Sequence, residues 1–148
     1  MKPTIYLAAD HAGFELKEYL KSALLAEGYE VTDMGNSHKV PEDDYPDFIG
    51  PLAKRVAAHA ESRGIGICGS GQGTCMVANK TAGVRAGLGY DTESVRVMRE
   101  DNDANMLCLP GRSLEENDAL ALVHLFLDTS FSNAPRHQRR VDKLNAMV

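Results

Sequence analysis

Short apolar runs alternate with segments of helical spacing from one end of the chain to the other. A short apolar run that stops at a polar residue or a glycine is typical of a buried parallel strand. Runs of this kind predict five strands, at residues 4–9, 29–33, 65–68, 84–88 and 106–109. Between the first two runs, Leu16, Leu20 and Leu24 recur at the spacing of one helix face.

Glycine and proline punctuate the helical segments. Gly28 stands where the first helix should end, in a position that favours a left-handed backbone. A second helix carries Leu52, Val56 and Ala60, and Pro51 predicts that it begins there with Gly50 as its cap, although the pattern also fits an earlier start. Further helices are predicted at 76–80, at 91–100, at 120–127 with burial on more than one side, and from Pro135 onward.

This alternation predicts an α/β fold with three layers. A mostly parallel five-stranded sheet would carry helices on both faces, as in Rossmann-like proteins. The length suits one domain over residues 1–148, since no repeat or long linker divides the chain. Ligands of such sheets bind beyond the carboxyl ends of the strands. The residues expected there are 10–11, 68–74, 90–91 and 110–112.

Composition narrows the function classes. The chain is 43% hydrophobic and 25% charged, which is typical of a globular protein. Its formal net charge of −5 argues against a nucleic-acid partner, because binding a phosphate backbone needs a basic surface. We expect no membrane partner and no secretory signal, because long apolar runs are missing from the sequence. Three cysteines without a metal or redox spacing indicate a reducing, cytoplasmic compartment.

The segment 69–73, called here the glycine loop, is the sharpest local feature. Its three glycines let backbone amides approach a ligand, and a helix that starts at its end would suit a phosphate or a developing oxyanion. A Walker loop is excluded because no Lys-Ser/Thr pair follows Gly73. Gly64, Gly66 and Gly69 have dinucleotide spacing, but the middle of this segment is a predicted strand, whereas a dinucleotide fingerprint must follow the strand. A tight turn without a ligand is the plainer alternative.

Cys68 ends the third predicted strand and the pair Asp10–His11 ends the first, so both should face the crevice beyond the carboxyl ends of the strands. A thiol beside a helix N-terminus can act as a thiolate nucleophile or base, whereas a cysteine on an apolar strand can equally be inert core. The alternative interpretation of Asp10 is a helix cap with no further function. Cys108 has no glycine loop after it, and we predict that it belongs to the core.

Arg136 and Arg140 lie four positions apart on the last predicted helix and therefore share a face. Arginines placed in this way can hold a phosphate by forked, charge-assisted hydrogen bonds. Arg112, just after the fifth strand, is a third candidate for the same anion. The alternative interpretation of Arg136 and Arg140 is an ordinary solvated helix face.

Together these pieces resemble the type B ribose-5-phosphate isomerase family, which also includes the galactose-6-phosphate isomerase subunits. The matching segments run in order over almost the whole chain: Ala9-Asp10-His11-Ala12-Gly13, Asp44-Tyr45-Pro46, Cys68-Gly69-Ser70-Gly71-Gln72-Gly73, Ala78-Asn79-Lys80, Asn102-Asp103-Ala104-Asn105 and Arg136-His137-Gln138-Arg139-Arg140.

The resemblance implies an enzyme that interconverts an aldose phosphate and a ketose phosphate without a metal or another cofactor. It also implies a homodimer or a dimer of dimers in which two subunits build each active site. Cys68 would move a proton between C1 and C2, and the amides of the glycine loop would hold the enediolate. The remaining roles it implies are sugar contacts by Asp10, Tyr45 and Ser70, enediolate contacts by the amides of Gly69, Gly71, Gln72 and Gly73 with assistance by Asn102, and phosphate contacts by His11, Arg112, Arg136 and Arg140.

Two positions bear on the substrate and the base. Some family members carry a glutamate base on the glycine loop, but Thr74 stands there, which leaves Cys68 as the base. Many members have a histidine just before Asn102, to which opening of the furanose ring is attributed, whereas this chain has Asp101. We predict the isomerisation of ribose 5-phosphate with Asp101 as a ring-opening acid or base. The alternatives are a hexose 6-phosphate of the allose or galactose type and a phosphosugar-binding protein without activity.

Overall fold

The computed structural model describes residues 1–147 and contains one parallel sheet. Its strands, in chain order, are β1 Ile5–Ala9, β2 Val31–Asp33, β3 Arg63–Cys68, β4 Ala86–Leu88 and β5 Met106–Pro110. They lie in the order β2-β1-β3-β5-β4, and each neighbouring pair is parallel. The predicted α/β class with a five-stranded sheet is therefore confirmed, with parallel pairing throughout the described strands.

Helices cover both faces of the sheet, as predicted. A short 3-10 turn at His11–Gly13 leads into the first of them. The α-helices are α1 Phe14–Ala26, α2 Tyr45–Ala58, α3 Gln72–Ala78, α4 Thr92–Glu100, α5 Glu116–Asp128 and α6 Pro135–Asn145. No helix within residues 1–147 is both long and apolar enough to cross a membrane.

Two hydrophobic clusters hold the layers together because side chains alternate between the faces of a strand. Ile5, Leu7 and Ala9 of β1 join the cluster under α1, α4 and α5, in which Phe126 is completely buried. The intervening β1 residues Tyr6 and Ala8 join the second cluster, under α2 and α3. Burial on both sheet faces explains why the strands are nearly continuous apolar runs in the sequence.

The prediction that α2 begins near Pro51 was wrong. The helix begins at Tyr45, after an extended Asp44, and Pro51 lies inside it. Pro46 in the first turn fits a helix start as well as Pro51 does, because the first backbone N–H groups have no intrahelical partner. Ala60, predicted on the same helix face, lies beyond the helix end.

Other local predictions are confirmed in detail. Gly28 follows α1 with φ +85°, the left-handed geometry that glycine tolerates. Asp91, at the predicted start of the fourth helix, is the N-cap of α4, and its Oδ1 accepts from Ser94 N at 2.7 Å. Gly64 and Gly66 lie inside β3, so their dinucleotide spacing is coincidental. By contrast, the prediction that the apolar run in α5 is buried on more than one side was wrong, because only one face is fully buried and the leucines at 120, 125 and 127 are half-buried.

Candidate active site

A cleft of about 320 Å³ opens at the carboxyl ends of β1 and β3. The chain leaves β1 toward β2 on one side and returns to β3 on the other, so the strand order reverses at this point. Crevices at such switch points are the usual ligand sites of open α/β sheets. The lining residues are Asp10, His11, Ala12, Tyr45, Cys68, Gly69, Ser70, Gly73, Met76 and Arg112.

Cys68 is the last residue of β3 and is 4% exposed, at the junction with the glycine loop. Two backbone hydrogen bonds tie this junction to the segment after β5: Gly111 N donates to Cys68 O at 2.8 Å, and Arg112 N donates to Gly69 O at 3.0 Å. A Cβ atom on Gly69 would lie 2.7 Å from Nη1 of Arg112. The missing side chain at Gly69 therefore lets the guanidinium lie against the loop.

The glycine loop leads directly into α3, which begins at Gln72. Oγ of Ser70 accepts a hydrogen bond from Gln72 N at 3.3 Å and so helps to shape the turn. A Cβ atom on Gly73 would lie 2.5 Å from Cζ of Tyr45, so the absence of a side chain there admits the tyrosine ring to the cleft. Ser70, Gly73 and Tyr45 therefore line the same cleft as Cys68.

Gly71 packs against the backbone at the end of β5 and does not line the cleft. Its φ is +74°, and a Cβ atom there would lie 3.1 Å from the backbone carbon of Leu109. We expect Gly71→Ala to lower the free energy of unfolding by about 1–3 kcal/mol, because strain and a backbone clash act together. Urea unfolding measures this change. Gly50→Ala is the matched control: nothing lies within 4 Å of that Cβ position in α2, and the alanine should stabilise the helix slightly.

Asp10 and His11 form the opposite wall of the cleft. Asp10 is buried, and its Oδ1 accepts from Ala12 N at 3.0 Å and from Gly13 N at 3.3 Å. Asp10 is thus a cap of the 3-10 turn and a cleft residue at once. His11 Nδ1 lies 2.9 Å from Oδ1 of Asp43, and this hydrogen bond raises the pKa of His11 above its ordinary value.

Asp10, His11 and Asp43 also form the grouping most like a metal site, with possible ligand atoms within 4.8 Å of one another. Their hydrogen bonds account for the grouping. Oδ1 of Asp10 accepts two backbone bonds, Nδ1 of His11 is bound to Asp43, and the second oxygen of Asp43 accepts from Asn36 Nδ2 at 3.0 Å. We therefore assign no metal to these three residues.

A second group of predicted site residues lies at the other end of the sheet. Asn105, just before β5, accepts from Gly64 N at the amino end of β3, whereas Cys68 ends that strand roughly 13 Å further along. Ser132 N donates to Glu100 O at 3.0 Å, and Nε2 of His137 lies 3.5 Å from Oδ1 of Asp101. These contacts hold Asp101, Asn102, Arg136 and Arg140 near the amino ends of the strands, called here the amino edge of the sheet. The four residues therefore lie outside the cleft of their own chain, which opens at the carboxyl ends of the strands.

Other expectations are corrected by the fold. Tyr90 and Asp91 follow β4 but line a separate depression with Asp118, because β5 separates β4 from β3. Gln72 is exposed and lies outside the cleft lining. Cys108 is core, as predicted, and burial raises the pKa of its thiol well above the ordinary value.

Sequence reasoning missed two residues of the site. Met76 lines the cleft from α3, and Asp43 holds His11 from behind. A methionine on a helix gives no chemical signal, so its place could not be inferred from its type. The position of Asp43 next to the matched segment Asp44-Tyr45-Pro46 was the one available hint.

Comparison with known proteins decides the family. A sequence model of the ribose/galactose isomerase family matches residues 5–144. The chain belongs to this family. Among ribose/galactose isomerases, "Ribose-5-phosphate isomerase B" of Mycolicibacterium paratuberculosis is 41% identical over 140 residues, which cover 95% of this chain and 88% of that one. The same-named protein of Mycobacterium tuberculosis is 41% identical, with 95% and 86% covered.

Solved structures of the family agree with this fold. Ribose-5-phosphate isomerase B of Mycoplasma genitalium with bound ribulose-5-phosphate matches with a TM-score of 0.95 and 36% identity, covering 99% of this chain and 97% of that one. A ribose 5-phosphate isomerase of Thermotoga maritima matches with a TM-score of 0.92 and 38% identity, covering 97% and 98%. The resemblance drawn from the sequence motifs is confirmed.

Proposed function

We propose that this chain interconverts D-ribose 5-phosphate and D-ribulose 5-phosphate. The observation that carries the proposal is the cleft itself: a buried cysteine, a glycine loop and a histidine–arginine pair meet at the strand-order reversal. The relatives named ribose-5-phosphate isomerase B, one of them solved with ribulose-5-phosphate, support this substrate. The three free cysteines support a reducing, cytoplasmic setting.

Cys68 is the base of the proposed reaction. Its thiolate removes the proton from C2 of the open-chain aldose, and the electron pair moves into the C1 carbonyl to give an enediolate. After the hydroxyl protons are exchanged, the thiol returns a proton to C1 and the ketose carbonyl forms at C2. A proton next to a carbonyl is weakly acidic, so the reaction needs both a positioned base and donors for the oxyanion. The amides of the glycine loop supply those donors.

The phosphate contacts come from both edges of the sheet. His11 and Arg112 stand in the cleft, while Arg136 and Arg140 are exposed on α6 at the amino edge. We assign these two arginines, with Asp101 and Asn102, to the active site of a second copy of the chain. The assembly is then a homodimer or a dimer of dimers. A phosphate held far from the reacting carbons supplies binding energy that orients them.

Asp101 is the proposed ring-opening acid or base. Its Oδ1 lies 3.5 Å from Nε2 of His137. Its side chain is 46% exposed, so a substrate bound in the cleft of the partner subunit can reach it. An aspartate at this position also favours a second candidate function, the isomerisation of a hexose 6-phosphate of the allose or galactose type. A phosphosugar-binding role without turnover is the third alternative.

The test is an assay of the purified protein with ribose 5-phosphate in EDTA, following the formation of ribulose 5-phosphate. We expect turnover without added metal. A panel of allose, galactose and ribose phosphates compared by kcat/KM ranks the substrates. A higher kcat/KM for a hexose phosphate would replace the proposed substrate. Binding of ribose 5-phosphate with no turnover of any sugar in the panel would favour the binding protein.

A further inference from the structure

Asp43 is a charged residue at the cleft for which the proposed reaction provides no role. It belongs to the segment between β2 and α2, far along the chain from the residue that it contacts. Its side chain is 8% exposed, although it carries a carboxylate. A buried carboxylate needs hydrogen-bond donors for both of its oxygens. The hydrogen-bond donors that contact Asp43 indicate its role.

One oxygen of Asp43 binds His11 at two points. Oδ1 accepts from the backbone N of His11 at 2.8 Å and lies 2.9 Å from its ring Nδ1. Two bonds to the same residue fix both the backbone position and the direction of the ring. With Nδ1 donating to the carboxylate, the ring has its Nε2 side left for the cleft. The same logic orients histidines that act through one ring nitrogen elsewhere.

The other oxygen of Asp43 is held by a chain of hydrogen bonds that leads to Lys17. Oδ2 accepts from Asn36 Nδ2 at 3.0 Å, and the backbone O of Asn36 accepts from Lys17 Nζ at 2.9 Å. Lys17 is completely buried, and its Nζ also lies 2.6 Å from Oδ2 of Asp33. A Cβ atom on Gly35 would lie 3.2 Å from Cδ of Lys17, so the loop packs directly on the lysine stem.

From this arrangement we propose that Asp43 is a positioning residue of the phosphate site, clamping His11 so that Nε2–H faces the phosphate of the substrate. Lys17 and Asn36 hold the clamp in place. The inference rests on the proposed function for the identity of the phosphate. It concerns His11 alone and applies to any sugar phosphate that the cleft binds.

The clamp has an electrostatic consequence as well as a geometric one. The hydrogen bond to Asp43 is the largest cause of the raised pKa of His11, and the charges of Asp10 and Asp43 act in the same direction against partial burial. The other charged or titratable groups in the cleft lining are Arg112, Tyr45 and Cys68. His11 therefore keeps its proton to a higher pH than an ordinary histidine. Its attraction for a phosphate dianion is lost only as the pH rises through this raised pKa.

The decisive variant is Asp43→Asn, and Glu42→Gln is its matched control. Glu42 is the exposed neighbour, so its variant removes the same charge one residue away from the clamp. In the substrate-free protein, NMR titration should show the pKa of His11 falling by about one unit in Asp43→Asn and staying at the wild-type value in Glu42→Gln. The spectrum of His11→Gln assigns the signal. An unchanged titration in Asp43→Asn would overturn the inference.

Kinetics separate a clamp from a simple loop staple. With ribose 5-phosphate, the KM of Asp43→Asn relative to wild type should rise about three- to tenfold at pH 8 and much less at pH 6, while kcat stays within a factor of about two. A ratio of KM values that is equal at every pH would mean that Asp43 only holds the loop, and the inference would fail. Asn36→Ala should shift the pKa of His11 in the same direction by a smaller amount. This variant replaces Asp43→Asn in the test if Asp43→Asn does not fold.

Inorganic phosphate keeps this test independent of the proposed reaction. Added phosphate should perturb the His11 signal of the wild type at pH 8 and should do so more weakly in Asp43→Asn. If the wild type turns over no sugar phosphate, the proposed function fails while these titrations still decide the role of Asp43. If turnover is normal and phosphate leaves the His11 signal unmoved, the inference fails and the proposed function stands.

Discussion

Cys68→Ala is expected to lower kcat for ribose 5-phosphate by about 10²- to 10⁴-fold while the affinity for the sugar phosphate stays within about twofold. General-base catalysis contributes roughly this much. Within the cleft lining, Cys68 is the residue that ends β3 beside the loop amides, where a base and an oxyanion site must meet. The phosphate contacts do not involve the thiol. The loss should therefore appear in kcat, with KM nearly unchanged.

Cys75→Ala is the matched control for this variant. Cys75 is a half-buried thiol on α3 that lies outside the cleft lining, so the same atoms are removed near the same loop. It should keep kcat within about threefold, since surface and half-buried changes of this size are mild. Exchange of the C1 and C2 protons in deuterated water gives a second readout. Near-normal kcat in Cys68→Ala would exclude the cysteine as the base, and another residue near the glycine loop would have to remove the proton.

The three central strands β1, β3 and β5 were predictable because they are buried on both faces, which turns a three-dimensional property into a largely apolar run. The end of β3 at Cys68 followed directly from the glycines after it. A helix end was also predicted correctly where the backbone geometry requires one residue type, as at Gly28 with its left-handed backbone. The start of α2 was not, because Pro46 and Pro51 both satisfy the rule for a first helical turn.

The site itself was predictable only in part. The crevice followed from the rule for strand ends, and that rule brought Asp10, His11 and Cys68 together correctly. The contact between His11 and Asp43 joins residues 32 positions apart through a loop without periodicity, so the pattern of the sequence did not pair them. The placement of Arg140 at the far edge likewise depends on how α6 packs after α5, which periodicity does not encode.

The proposed division of site residues between two sheet edges leads to the other large expected effect. Arg136→Ala with Arg140→Ala should lower kcat/KM by more than about 100-fold, because each forked bond to a phosphate contributes roughly 1.5–3 kcal/mol. The Cys68→Ala protein is inactive for a different reason. When the two inactive proteins are mixed and their subunits exchanged, each mixed dimer should regain one complete active site. Activity should recover to roughly a quarter of the wild-type level, since about half of the dimers are mixed.

A mixture of Cys68→Ala with His11→Ala is the control for subunit exchange. Both defects lie on the same edge of the sheet, so neither site of a mixed dimer is complete and activity should not recover. Mass spectrometry of the intact assemblies confirms that mixed dimers have formed. If the arginine variant behaves like this control, the phosphate is bound within one chain and the shared site is wrong. Recovery confined to the arginine mixture requires the amino edge of one subunit to complete the carboxyl edge of the other, because residues fixed at opposite ends of β3 cannot meet within one rigid sheet.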